Sequence, residues 1–143
     1  MAWQILFGFL NGSILIILST IHFYWALGGK SGMEKTLPTN LEGKKMLNPT
    51  KIDSMMVGIF LLLFALLFFI KIVILQISLP HLINRFGIGV ISIIFLLRAM
   101  GDFRYVGFTK KIRTSDFASL DTKLYSPLCL FIGINGLLTE LLN

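Results

Sequence analysis

Arg85-Phe-Gly-Ile-Gly-Val-Ile-Ser-Ile-Ile-Phe-Leu-Leu-Arg98-Ala-Met-Gly-Asp102-Phe-Arg-Tyr105 is the stretch whose reading decides the fold. It reads as a lipid-soluble helix ending in two charges one turn apart. Arg98 and Asp102 sit inside or at the lip of a membrane segment. An ionised group buried there costs at least about 2.5–3.5 kcal/mol on insertion scales, so such residues face a bundle interior and often mark function. The simplest pairing of the two is an i,i+4 ion pair sealing the helix end.

Working outward, the chain has 143 residues, of which 55% are hydrophobic and only 14% charged. A soluble domain of this size could not hide that much apolar surface. The net charge of +6 reflects topology and anionic lipid headgroups rather than nucleic acid, because the basic residues lie mostly in loops without an aromatic–basic pattern. A lone cysteine, Cys129, excludes an intrachain disulfide and any Cys-x-x-Cys site, and reads as a packing residue. No Lys or Arg precedes Lys30 and no small-x-small cleavage site is evident, so the N-terminus is expected to be a retained first span.

A helix needs about 20 apolar residues to cross the hydrocarbon core. Four stretches meet or approach this, over residues 2–27, 49–75, 82–101 and 122–142 of one membrane domain covering 1–143. The first stops at Gly28-Gly29. The second is expected to start at Asn48-Pro49, a cap followed by a first-position proline. The third follows Pro80. For the fourth, two starts are open: a cap at Ser126 with Pro127 behind it, or a start near Thr122 with Pro127 as a kink. The fold class is therefore all-α, a four-transmembrane-helix bundle.

Orientation follows from the positive-inside rule. Loop 28–48 and the first turn after it hold Lys30, Lys35, Lys44, Lys45 and Lys51, and the connection from 102 to the fourth span holds Arg104, Lys110, Lys111, Arg113 and Lys123. Only Lys71 and Arg85 lie opposite. Loops 28–48 and 102–121 are thus placed in the cytosol, with both termini extracytoplasmic and the chain in the cytoplasmic membrane.

Three helices carry distinctive stripes at three- and four-residue steps. They are Gly8, Asn11, Leu15, Ser19, His22 and Trp25 in the first, Gly87, Ile91, Ile94, Arg98 and Asp102 in the third, and Cys129, Gly133, Gly136 and Glu140 in the fourth. Helix 2, Phe and Leu almost all round from Ile59 to Ile70, reads as the most lipid-exposed. Helices 1, 3 and 4 are expected to pack closely with helix 2 outside them. Gly8 and Gly12 form a small-xxx-small pair that could also serve a homo-oligomer. Glu140 reads as isolated and solvated.

By this topology His22, Tyr24, Trp25, Arg98, Asp102, Arg104, Tyr105, Asp116, Asp121 and Tyr125 could converge at the cytosolic end. They are the candidate ligand-binding residues. Asp102 opposes the helix dipole where Arg98 suits it, so Asp102 is expected to have a further partner, such as His22, Arg104 or a loop amide. Arg98 could grip a carboxylate or phosphate bidentately, or snorkel to headgroups. His22 is either a hydrogen-bonded interior histidine or a proton-responsive group. The aromatics are interfacial anchors or stacking partners for a ligand.

Several motif matches fail. Gly29-Lys30-Ser31 has Tyr24 where a phosphate loop needs glycine. Asn11-Gly12-Ser13 lies inside a span. The two histidines form no helical metal pair, so no metal site and no cofactor are expected.

The segments His22-Phe-Tyr-Trp25-Ala-Leu-Gly-Gly29, Arg98-Ala-Met-Gly-Asp102-Phe-Arg-Tyr-Val-Gly107-Phe, Asp116-Phe-Ala and Asp121-Thr-Lys-Leu-Tyr125-Ser-Pro127-Leu together resemble a family of small bacterial four-helix membrane proteins catalogued as a domain of unknown function. The resemblance spans nearly the whole chain. It implies the four-helix fold and a bacterial cytoplasmic membrane, and brings no activity or catalytic residue.

Four functions stay open on these residues. A pocket between helices 1, 3 and 4 could bind a small anion or lipid headgroup. An oligomer could transport a small molecule with protons, although no carboxylate lies near mid-span. The chain could be an accessory subunit. Asp102 and His22 could exchange protons with a lipid substrate, which is the enzyme reading and the least supported.

Overall fold

The structure, a computed structural model, describes residues 2–72 and 74–142. Four helices long and apolar enough to span a membrane make up the bundle: α1 (Ala2–Ala26), α2 (Lys51–Lys71), α3 (His81–Met100) and α4 (Asp116–Leu141). The chain is a multi-pass integral membrane protein, its outer surface carrying exposed Leu, Ile and Phe along every helix.

Each helix end has a local cause. α1 stops in a Schellman motif: Gly28 takes φ +102°, its amide donates to the Trp25 carbonyl and the Gly29 amide to that of Tyr24. α2 begins after Thr50, not Asn48. The Thr50 hydroxyl accepts from the Asp53 amide at 3.2 Å, and Asp53 Oδ2 accepts from the Thr50 amide at 2.7 Å. This capping box satisfies two amides, whereas Asn48 lies too early to reach them. α2 ends at Lys71, short of the expected residue 75 (Val73 lies outside the described residues). α3 follows Pro80 and ends before Gly101, at φ +93°.

The fourth helix differs most from expectation. It begins at Asp116, capped by the Ser115 hydroxyl, so both expected starts lie inside it. Residues 121–125 form a π-helical turn, closed by the Ser126 amide donating to the Asp121 carbonyl. Pro127 has no amide to donate and its ring crowds the carbonyl four residues back. The wide turn just upstream lets the helix pass the proline without breaking.

α1 packs most extensively on α2, and α3 on α4; α1 also meets α4, while α2 and α3 touch lightly. Helix 2 is therefore not peripheral. Ser54, Gly58, Leu61, Ala65 and Phe68 are its buried face. Ser19 Oγ donates to the Gly58 carbonyl at 2.7 Å, and a Cβ on Gly58 would press on the Phe23 ring. Gly8 and Gly12 are covered by Ile72 and Phe69, so that face is spent inside the monomer and is not free for a second copy. On α3 the core face is Ile88, Ile91, Ser92, Phe95 and Ala99, while Ile94 is exposed. Glu140 is not isolated: Lys71 Nζ lies 3.3 Å from its carboxylate and donates to the Asn84 carbonyl at 2.8 Å. Leu15, Phe68, Ile88, Ile91, Phe95 and Ile132 form an apolar layer across the middle of the bundle.

Candidate functional site

At the loop end of the bundle the helices line a half-open cavity of about 850 Å³. Leu18, Ile21, His22, Tyr24 and Trp25 line it from α1, Asp53, Ser54 and Val57 from α2, and Tyr125, Leu128 and Cys129 from α4. Arg98 enters from α3, and Ser31, Gly32, Met33, Thr36, Leu37 and Pro49 form a roof. The cavity has a wall from helix 2 and a lid from loop 1–2, neither of which belongs to the pocket expected between helices 1, 3 and 4.

Arg98 is held in place by a network behind it. Its Nη2 donates to Asp121 Oδ1 at 2.9 Å. Asp121 Oδ2 accepts from the Gly107 amide at 2.8 Å and from Lys110 Nζ at 3.0 Å. The Lys110 ammonium also donates to the Gly107 carbonyl at 2.9 Å and to Thr122 Oγ1 at 2.6 Å. Both Lys110 and Asp121 are sealed from solvent. All three ammonium donors are thereby used, which is what lets a lysine be buried. Gly107, at φ +85°, brings both its amide and its carbonyl to this network. A side chain there would collide with the Met100 carbonyl and Gly101.

Arg98 Nη1 and Ser126 Oγ are shielded and find no hydrogen-bond partner among the described residues. A guanidinium has five N–H donors, two of them on Nη1, and leaving these empty while shielded calls for water or a ligand. Two cations face one carboxylate here, leaving a surplus of one positive charge.

The histidine on the opposite wall is oriented by its own helix. His22 Nδ1 donates to the Leu18 carbonyl at 2.9 Å, since a carbonyl can only accept. Nε2 is left for other partners. The Trp25 ring packs edge-on at 5.0 Å, and Trp25 Nε1 donates to the Ser31 carbonyl at 2.9 Å, pinning the roof. Tyr125 ties the same roof to α4 through its hydroxyl, which donates to the Lys35 carbonyl at 3.4 Å. Asp53 lines the cavity, but its carboxylate is committed to Thr50.

Of the ten candidates, His22, Tyr24, Trp25, Arg98 and Tyr125 meet at the cavity, with Asp121 one bond behind Arg98. Asp102, Arg104, Tyr105 and Asp116 do not line it. Asp102 does not pair with Arg98. Its Oδ1 accepts from the amides of Arg104, Tyr105 and Val106 at 2.7–2.9 Å, the loop-amide alternative. Burial works to raise the Asp102 pKa, but the amides of Val106, Arg104 and Tyr105 outweigh it and hold the carboxyl below its ordinary value. The Arg104 guanidinium lies over the Tyr105 ring at 5.2 Å. Asp116 opens α4, exposed in its first turn, where its charge suits the helix dipole. Lys110 was not among the candidates, because a loop lysine beside Lys111 carries no mark of burial. The α2 wall was signalled by Ser54, Gly58 and Ala65, small residues at close-packing intervals.

A family model described as a protein of unknown function, DUF3995, matches residues 15–135. The chain belongs to this family. The DUF3995 match takes in every residue of the cavity and of the network behind Arg98. No curated protein and no solved structure matches the chain.

Proposed function

We propose that the loop-end cavity binds an anionic group, a phosphate or carboxylate, carried by a small molecule or a lipid headgroup. The observation that carries this reading is Arg98: it lines a largely apolar cavity, and its Nη1 has no hydrogen-bond partner among the described residues. Leu18, Ile21, Val57 and Leu128 suit the apolar part of such a ligand. The cavity lies within the usual size range for ligand sites, about 300–1,000 Å³. We place this end at the cytosolic face of a bacterial cytoplasmic membrane, because the lysine- and arginine-rich loops gather there.

Two alternatives are weaker. The apolar layer of Leu15, Phe68 and Ile132 closes the bundle beneath the cavity, which favours binding over passage of a solute. Asp102 faces loop amides rather than His22, which removes the acid–base pair the enzyme reading needs.

Native mass spectrometry of protein extracted in mild detergent tests the proposal. Wild type is expected to retain added phosphatidic acid or inorganic phosphate, and the two probes separate a headgroup from a free anion. Arg98→Gln leaves Asp121 with Lys110 and should keep the fold. Equal retention by this variant would defeat the reading.

A further inference from the structure

The helices form two pairs, α1 with α2 and α3 with α4. The bonds that join the pairs gather toward the end carrying the chain termini. Asn11 Nδ2 donates to the Ile132 carbonyl at 2.9 Å, Lys71 reaches Asn84 and Glu140, and the Leu67 side chain lies over Gly87. At the loop end the cavity lies between the pairs, and the Tyr125–Lys35 bond joins them at its roof.

The edges of that cleft are open. Ile21 and Tyr24 of α1 and Val57 of α2 line the cavity and are 38%, 48% and 42% exposed. Ile21 is five residues short of the end of α1 and Val57 six residues past the start of α2. At 1.5 Å per residue that is about 8–9 Å of helix. For spans of this length it is the depth at which headgroups give way to hydrocarbon. Toward water, Trp25 and Tyr125 hold the roof segment through Ser31 and Lys35.

We infer that the occupant is an anionic membrane amphiphile that enters sideways from the bilayer, its headgroup reaching Arg98 and its tail leaving through the cleft between the two helix pairs, past Ile21 or Val57. This rests on the binding reading above and adds to it the class of ligand and its route. A free phosphate would leave Leu18 and Leu128 facing water inside the membrane. An acyl or isoprenoid tail covers those walls.

The test uses full-length protein in detergent, loaded with pyrene-labelled phosphatidic acid and chased with the unlabelled lipid. Tryptophan-to-pyrene energy transfer follows release, with Trp25 in the cavity wall. Ile21→Phe combined with Val57→Phe narrows the side opening without touching Arg98, and both positions are exposed enough to accept the larger ring. Release is expected to slow about tenfold. Val57→Ala should speed it, which keeps the test decisive if the double variant fails to fold. Unchanged release in both variants, with loading lost in Arg98→Gln, would overturn lateral entry while leaving the binding site standing. Inorganic phosphate displacing the label as well as the lipid does would overturn the amphiphile and point to an aqueous anion. Wild type that takes up no label would defeat the binding reading itself.

Discussion

The Lys110 ammonium lies 3.0 Å from Asp121 Oδ2, in a pair sealed from solvent, with Arg98 on the other carboxylate oxygen. Asp121 is thus the sole counter-charge for two cations in this network. Asp121→Asn leaves both uncompensated, and breaking a buried pair this way costs about 3–5 kcal/mol. Lys110→Met leaves Asp121 with Arg98 and the Gly107 amide, so its loss should be smaller. Thermal unfolding in detergent should rank the variants in that order. A double-mutant cycle should show coupling within the range of contacting pairs, about 0.5–3 kcal/mol.

Two glycines separate backbone necessity from mere presence. Gly107 is at φ +85° and packed against the Met100 carbonyl and Gly101, whereas a Cβ on Gly89 would meet open space. Gly107→Ala should destabilise by at least about 1–3 kcal/mol, the usual size of such strain, and should release the Asp121 network with it. Gly89→Ala should be neutral or gain up to about 1 kcal/mol from helix propensity. Unfolding midpoints of the two variants, measured side by side, check the contrast.

Acid should loosen the loop after α3 before it unfolds the bundle. The Asp102 carboxyl is held below its ordinary value by the Val106, Arg104 and Tyr105 amides, against the opposing effect of burial. A group depressed in the folded state stabilises above its unfolded pKa, and that contribution disappears as pH falls through the folded value. Hydrogen exchange, corrected for its intrinsic pH dependence, should show protection of the three amides full near neutrality and lost in acid. Asp102→Asn should abolish this pH dependence. A transition that persists in Asp102→Asn would assign it to another group.

Where sequence reading succeeded and failed follows from what each residue type reveals. Four spans were legible because apolar runs of that length have no other stable home. An ion pair between Arg98 and Asp102, one of the two readings open for them, needs a helix running through both. Gly101 ends α3 instead and turns Asp102 into the loop, so Arg98 is free to take a partner from α4. Pro127 left open a helix start or a kink inside a helix; it lies inside one, behind a π-helical turn that no sequence period announces. The role of α2 was hidden by its Phe and Leu surround; its packing side is written in the small residues Ser54, Gly58 and Ala65.

The contact between α3 and α4 turns on one such small residue. A methyl group on Gly136 would collide with Ser92 Oγ, with Ser92 Cβ and Phe68 Cζ each 3.3 Å away. Ser92 is buried, its hydroxyl donating to the Ile88 carbonyl within its own helix, so it cannot turn aside without losing that bond. Gly136→Ala should therefore push the helices apart and destabilise by about 1–3 kcal/mol, as overpacking does. Ser92→Ala removes the clashing oxygen and leaves no unpaired acceptor, because the Ile88 carbonyl keeps its backbone hydrogen bond within the helix. The double variant should recover part of the loss but not all of it, since Phe68 and the Ser92 Cβ position remain tight. Unfolding midpoints for the two single variants and the pair would show this as favourable coupling; strictly additive losses would mean that the helices meet elsewhere.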